Sequence, residues 1–280
     1  MNGDSSTRAT SSWKERWSER LRCYLQRHQY PGLHVWNRNH RDDLAKFRNV
    51  HRGQDCFIIG NGPSLNRMDL SRLNDFALFG LNKIHLLMDR TPLDLMYHVC
   101  VNPLVMEQSM PEFAKLGCPS FLPFQKADSQ QRRQSRTHWL YTGGAPLHFA
   151  TDVLRPISEG WTVTFVAMQL AYFMGFQTVF LVGVDHSFAA KGRPNETQDM
   201  EGDDESHFDP NYFKGQSWQL PDLEGSELAY RMAKFFFERD GRRVVDATVD
   251  GKLQIFDKMP LEEAYEVARR RGVTDGPPAA

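Results

Sequence analysis

The chain has 280 residues, of which 40% are hydrophobic and 25% charged, an ordinary composition for a globular protein. Its 34 Lys and Arg residues nearly balance 35 Asp and Glu residues, so the net charge gives no reason to expect a nucleic acid or an anionic membrane as a partner. The four cysteines are scattered and form no Cys-x-x-Cys pair or Cys/His cluster, which excludes the usual zinc sites.

The first 50 residues are predicted to be a polar tail followed by helices. Apolar residues between Trp13 and His28 recur at helical spacing on a basic segment, and a short second helix is expected at Asp42–Phe47. The apolar stripe of the first helix could pack against the domain itself, a second subunit of a homo-oligomer, or a membrane surface. Residues 1–7 lack the apolar core of a signal peptide, so we expect a cytoplasmic protein.

Residues 56–65 combine a buried strand with a glycine turn. Cys56–Gly60 is an apolar run of the kind found in strands buried on both faces. Gly60-Asn61-Gly62 then permits a tight turn, and Pro63 suits the first turn of a helix. The backbone N–H groups of such a turn are expected to bind phosphate or another anion, although a purely structural turn explains the same pattern.

The rest of the chain alternates short apolar runs with helical patterns, which predicts an α/β fold with a mostly parallel sheet, preceded by N-terminal helices. Phe165–Val184 has the length of a membrane span, but Gly175 divides it into a buried helix and a strand, so no transmembrane segment is predicted. Segment 125–138 is expected to be an exposed loop. The further predicted strands are Phe76–Gly80, Leu95–Val101, Ser120–Pro123, Thr178–Val184 and Val244–Ala247. The further predicted helices are Leu104–Leu116, Thr162–Met174, Glu224–Arg239 and Leu261–Arg271.

Four of the predicted strands end in a small polar residue, namely Asn61, Asn82, Asn102 and Asp185. Each one alone is explained by the preference of Asn and Asp for turns. Because ligands of parallel sheets bind beyond the carboxyl ends of the strands, four in succession favour a bound nucleotide, whose hydroxyls and phosphate an amide can contact.

Hydroxyl and histidine side chains complete the predicted site. Thr162 and Thr164 precede the buried helix and could cap it, hold a phosphate, or both, and Ser64 has the same two roles at the glycine turn. His207 follows the acidic segment 189–206, which we expect to be a mobile flap, and is the first candidate for a general base.

His186, directly after Asp185, is the second candidate base or a phosphate contact. Nothing in the spacing of Asp185, His186, His207 and Asp209 requires a metal, so no metal site is predicted. Most of the ten histidines are expected to have no catalytic role.

The motifs in this chain resemble two related bacterial groups. The string Gly60–Leu65, the segment Phe79–Asn82, the segment Val101–Leu104, Thr162-Val163-Thr164 and the run ending at Asp185 carry the likeness, which covers roughly residues 50–250. One group is the 6-hydroxymethylpterin diphosphokinase MptE-like family (domain of unknown function 115). The other comprises the sialyltransferases of glycosyltransferase family 42.

The resemblance implies a Rossmann-like fold of three layers, with a nucleotide-binding catalytic domain at 51–250 between a helical extension (1–50) and a C-terminal helix with a loose tail (251–280). Similarity to the sialyltransferases implies a CMP-activated sugar donor held by Asn61, Asn82, Asn102, Thr162 and Thr164, without a metal. After Asp185 this chain lacks the tyrosines of that family, and the segment His207–Pro210 matches the MptE-like group more fully.

These observations predict a glycosyltransferase-like enzyme of surface-glycan biosynthesis. Its substrates would be a nucleotide sugar of CMP type, for example one that carries a sialic-acid-like sugar, and a glycan acceptor. No tightly bound cofactor is predicted. Two alternatives remain open: a pterin diphosphokinase that uses ATP and Mg²⁺, and a non-catalytic nucleotide-binding protein of a glycan pathway.

Overall fold

The computed structural model describes residues 30–143, 146–188 and 192–269, and the structural statements below concern these residues. The predicted helix between Trp13 and His28, with its possible contact to a second subunit, lies outside them, as does the predicted loose tail.

An eight-stranded sheet forms the centre of the fold, and a separate pair of antiparallel strands lies outside it. The strands are β1 Asp55–Ile59, β2 Ala77–Leu81, β3 Tyr97–Val99, β4 Ser120–Pro123, β5 Thr137–Leu140, β6 Thr178–Val182, β7 Thr197–Asp199, β8 Ser217–Gln219, β9 Arg243–Asp246 and β10 Asp257–Lys258. The order in the large sheet is β10-β9-β6-β1-β2-β3-β4-β5, and all of its pairings are parallel.

Helices surround this sheet, which confirms the predicted α/β, Rossmann-like fold with a mostly parallel sheet. The helices of the described residues are α1 Leu33–Asn39, α2 Arg41–Ala45, α3 His85–Met88, α4 Pro103–Phe113, α5 Val163–Met174, α6 Leu223–Arg239 and α7 Leu261–Val267. Within this part of the chain, no helix has both the length and the apolar character that a membrane crossing requires.

The central strands β1 and β6 are buried along their whole length, as the apolar runs predict. Phe57 of β1 stacks on Phe180 of β6 with ring centres 4.9 Å apart. Trp36 and Tyr265, which precede and follow segment 51–250, belong to the same hydrophobic core as these strands. The segments flanking the predicted catalytic domain therefore contribute to one continuous core.

Helix α5 packs with eleven of its twelve residues buried, which confirms the buried helix of the sequence pattern. Thr162 caps its N-terminus by accepting a hydrogen bond from the backbone N–H of Thr164. Gly175 ends it in a left-handed conformation with φ 93°, which a glycine adopts without a steric penalty.

Two predicted loops contain strands. Segment 125–138, predicted to be an exposed loop, ends in β5, which pairs with β4 at the edge of the sheet. The acidic segment, predicted to be a mobile flap, forms β7 within residues 192–206 and pairs with β8. Both strands are short and carry polar residues, so neither shows the apolar run of a buried strand; each is stabilised by a partner distant in sequence.

His98 on β3 is a buried histidine whose protonation opposes folding. Its Nε2 lies 2.9 Å from the carbonyl oxygen of Asn82, and its Nδ1 lies 3.1 Å from the hydroxyl of Ser120. Burial lowers the pKa of His98 to about 4 from its ordinary value of 6.5. The neutral imidazole therefore donates its Nε2–H to the carbonyl of Asn82. This bond stabilises the end of β2, which Asn82 directly follows.

This burial predicts a specific loss of stability in acid. Because the folded pKa lies below the unfolded one, the contribution of His98 is complete above pH 6.5 and is lost as the pH falls towards 4. The loss should reach roughly 3 kcal/mol of unfolding free energy. Urea unfolding between pH 4 and pH 7 should show a flatter dependence for H98N than for the wild type. H34N, at an exposed position on α1, controls for the loss of one histidine, and equal slopes for H98N and the wild type would contradict the prediction.

Candidate functional site

The carboxyl ends of β1, β2 and β6 open into one cavity of about 150 Å³. Nine of the eleven predicted site residues line it. They are Gly60, Asn61, Gly62, Asn82, Thr162, Thr164, Asp185, His186 and His207. Ser64 and Asn102 do not belong to its lining. The cavity therefore brings together residues that are separated by up to about 150 positions in sequence.

The glycine turn binds an anion that belongs to the protein itself. The backbone N–H of Ser64 donates to Asp185 Oδ1 over 3.0 Å, and the Ser64 hydroxyl donates to Oδ2 over 2.6 Å. The N–H of Gly62 donates to the carbonyl of Gly183. A Cβ atom at Gly62 would overlap the Asp185 carboxylate, which explains the glycine. The N–H groups of Gly62 and Ser64 are therefore occupied by Gly183 and Asp185 and are not free to bind a ligand phosphate.

Asp185 is held in this place at an electrostatic cost. Burial raises the pKa of its carboxyl group above the ordinary value, and the two hydrogen bonds from Ser64 partly offset that rise. The carboxylate ties the loop after β6 to the turn after β1, and so fixes the floor of the cavity.

Among the cavity-lining residues, Asn61 and Asn82 have a buried polar atom that lacks a hydrogen-bond partner. The Oδ1 atoms of both side chains are buried and have no hydrogen-bond partner. Such atoms are uncommon in folded proteins, because an unpaired buried polar group costs about 1–3 kcal/mol. Asn82 also has a left-handed backbone, with φ 48°. Once the two side chains turn towards the cavity, hydroxyl or amino donors of a ligand would satisfy both oxygens.

Asn102 and Thr162 have structural partners. Asn102 caps α4, where its Oδ1 accepts from the backbone N–H groups of Leu104 and Val105. The Asn102 side-chain oxygen therefore has partners within the protein. The Thr162 hydroxyl caps α5 and also lies 3.2 Å from the phenol oxygen of Tyr230, which is itself part of the lining.

His207 forms a hydrogen-bonded pair with Asp204, a residue whose role the sequence did not indicate. Nδ1 of His207 lies 2.8 Å from Asp204 Oδ2, and the Asp204 side chain is completely buried. A carboxylate on Nδ1 favours the tautomer that leaves Nε2 as an acceptor. The imidazole also stacks on Tyr212, with ring centres 4.1 Å apart and planes inclined by 6°. The Asp-x-x-His spacing was the available signal, but it lay in a segment predicted to be mobile.

The His207 segment is fastened to the glycine turn. The N–H of Phe208 donates to the carbonyl of Asn61 over 3.0 Å, and the side chains of Asn66 and Arg90 both donate to the carbonyl of Phe208. These bonds fix the position of His207 relative to the Asn61 side of the cavity.

His186, on the side of the cavity facing α6, pairs with a carboxylate on that helix. Its Nε2 lies 3.2 Å from Glu227 Oε1, and its backbone is left-handed with φ 54°. Because Nε2 is occupied by Glu227, His186 is less available than His207 to accept a proton from a substrate.

Trp161 is a lining residue that sequence analysis missed. Its backbone is left-handed with φ 59°, and 46% of its surface is exposed. Strained backbones at bulky residues concentrate at functional sites, but a single exposed tryptophan carries no motif, so no sequence signal identifies it.

Other parts of the described surface have fewer features of a binding or catalytic site. Within the described ranges, no three His, Cys, Asp or Glu side chains gather as metal ligands would. A wider depression of about 580 Å³ lies between Pro31 and Tyr141. Its described lining includes none of the buried polar atoms that lack a partner.

Comparison with known proteins finds no family model that matches the chain and no match among curated proteins. The likeness to the MptE-like group and the family 42 sialyltransferases stays a prediction from the motifs.

Proposed function

We propose that this protein is a glycosyltransferase that moves a sugar from a nucleotide donor, of CMP type, to a hydroxyl of a glycan acceptor in surface-glycan biosynthesis. The observation that carries the proposal is the combination, in one cavity, of two unpartnered asparagine oxygens with a carboxylate–histidine pair. The first feature suits the neutral donors of a nucleoside, and the second suits proton removal from an alcohol.

In this proposal Asn61 and Asn82 hydrogen-bond the nucleoside, and Nε2 of His207 accepts the proton of the acceptor hydroxyl. The acceptor oxygen forms a bond to the anomeric carbon as the bond from that carbon to the nucleotide phosphate breaks, and CMP leaves with the electron pair. Asp204 stabilises the imidazolium that forms. His186, which also lines the cavity, would contact the departing phosphate.

The cavity is smaller than the 300–1,000 Å³ that ligand sites usually enclose. A nucleotide sugar would therefore extend out of the cavity past the exposed side chain of Trp161, which leaves its sugar within reach of an acceptor.

The test is a thermal-shift and calorimetry screen of CMP, CDP, UDP, GDP and ATP, each with and without Mg²⁺. A ligand that binds only the folded state raises its stability by about 2.7 kcal/mol at 100 times its dissociation constant. We expect CMP to stabilise the protein without Mg²⁺. Stabilisation by ATP only with Mg²⁺ would favour the diphosphokinase instead, and CMP binding without turnover of any donor would favour a non-catalytic protein.

A further inference from the structure

Among the residues that the structure describes, Lys83 is the only lysine or arginine that is buried, with 3% of its surface exposed. It directly follows Asn82 at the end of β2. Its Nζ donates to the carbonyl of Tyr212 over 2.7 Å and to Gln216 Oε1 over 2.6 Å. Both acceptors are neutral. Burying an ammonium group on neutral partners is costly, which points to a role beyond packing.

Lys83 holds Tyr212 at both of its ends. The Lys83 side chain donates to the Tyr212 carbonyl, and the Lys83 backbone N–H donates to the Tyr212 phenol oxygen over 3.2 Å. The ring between these two points is the one that stacks on His207. Phe213 and Trp218 contact the same imidazole with their rings nearly perpendicular to it. The plane of His207 is therefore set by Tyr212, and its rotation within that plane by Asp204.

Lys83 also balances a buried negative charge. Burial lowers the pKa of Lys83 to about 8, and the nearby Asp204 carboxylate acts in the opposite direction. Three other titratable groups near Lys83 are neutral at pH 7. Burial raises the pKa of Cys100 to about 12, raises the pKa of Tyr212 above its ordinary value, and lowers the pKa of His85 below its ordinary value. Lys83, bonded to Tyr212, and Asp204, bonded to His207, therefore flank the Tyr212–His207 stack.

We propose that Lys83 is a positioning residue, which holds Tyr212 against His207 and supplies the positive charge that balances Asp204. It does not line the cavity and acts on the reaction only through these two neighbours. The proposal rests on the proposed role of His207 for its catalytic meaning, but its physical content can be tested without any substrate.

The experiment follows the His207 imidazole by ¹⁵N NMR across a pH titration, with H207N used to assign the signal. Removing the Lys83 charge makes the imidazolium easier to form, so K83M should raise the apparent pKa of His207 by about half a unit or more. K83R keeps the charge and should restore the wild-type value. K214M is the matched control. Lys214 lies between Tyr212 and Gln216 in the sequence, but it is exposed and pairs with Asp203.

A second variant covers the case in which K83M does not fold. Q216E keeps Lys83 and places a carboxylate on its ammonium group, which should also raise the pKa of His207. An unchanged His207 titration in folded K83M, or in Q216E if K83M is unfolded, would overturn the proposal. The nucleotide screen can fail independently of this result, since no nucleotide is present in the titration.

Discussion

Replacing His207 by asparagine is expected to lower turnover of the nucleotide sugar about 100- to 10,000-fold, the usual contribution of a general base. The affinity for CMP should stay within about threefold of the wild type, because the proton is removed from the acceptor and not from the nucleotide. The measurement is steady-state release of CMP from the donor identified by the screen, together with calorimetric titration of CMP.

Asp204 should be almost as important as His207 itself. D204N keeps the size of the side chain but removes the buried charge that orients Nδ1–H and stabilises the imidazolium. D203N is its matched control, since Asp203 is the neighbouring carboxylate, exposed and paired with Lys214. Turnover that survives both H207N and D204N would remove this pair from the mechanism, and a parallel loss of CMP affinity would make it a binding element.

Much of the sheet was predictable because burial on both faces leaves a strong pattern. Cys56–Gly60, Phe76–Gly80 and Thr178–Val184 are continuous apolar runs, and each overlaps a central strand of the structure. Once the strands are taken as parallel, topology alone brings their carboxyl ends together. This is why six of the predicted site residues, which follow β1, β2 and β6, meet in one cavity although no spacing rule connects them, whereas Thr162, Thr164 and His207 come from other segments.

The contacts that give these residues their roles could not be predicted in the same way. Asp185 and Ser64 are 121 positions apart, and nothing local shows that the carboxylate fills the turn. Asp204 is one acid among several in its segment, and only the structure separates it, through complete burial, from its exposed neighbour Asp203. Burial of a charged side chain is a property of the packed fold.

Several non-glycine residues of this site have strained backbones, which the amino-acid composition does not reveal. Asn82, Trp161 and His186 all have left-handed backbones and all line the cavity. Such conformations cost free energy in non-glycine residues and persist only where the surroundings fix them. Asn82 is fixed through its carbonyl by His98 and His186 through its ring by Glu227. The site is thus held in place before a ligand arrives, which lowers the entropy cost of binding.

Removing the unpartnered asparagine oxygens should weaken nucleotide binding and, for one of them, stabilise the free protein. N61A eliminates a buried acceptor that lacks a partner, so the ligand-free protein should gain about 1 kcal/mol of unfolding free energy while CMP binds about tenfold more weakly. N82G removes the other oxygen and suits the left-handed backbone at this position, and we expect a similar loss of affinity. The measurements are urea unfolding without ligand and calorimetric titration of CMP.

The structure and the family resemblance suggest different roles for Asn102. The motif implies that Asn102 holds the nucleotide, whereas its side chain caps α4. We therefore expect N102A to lose about 1 kcal/mol of stability and to keep its affinity for CMP, the opposite of N61A on both measurements. The exposed Asn211 provides the control for a general effect of the substitution. A destabilised N61A variant that binds CMP normally would contradict this prediction. It would mean that Asn61 Oδ1 bonds another group of the protein in solution and does not bind the nucleoside.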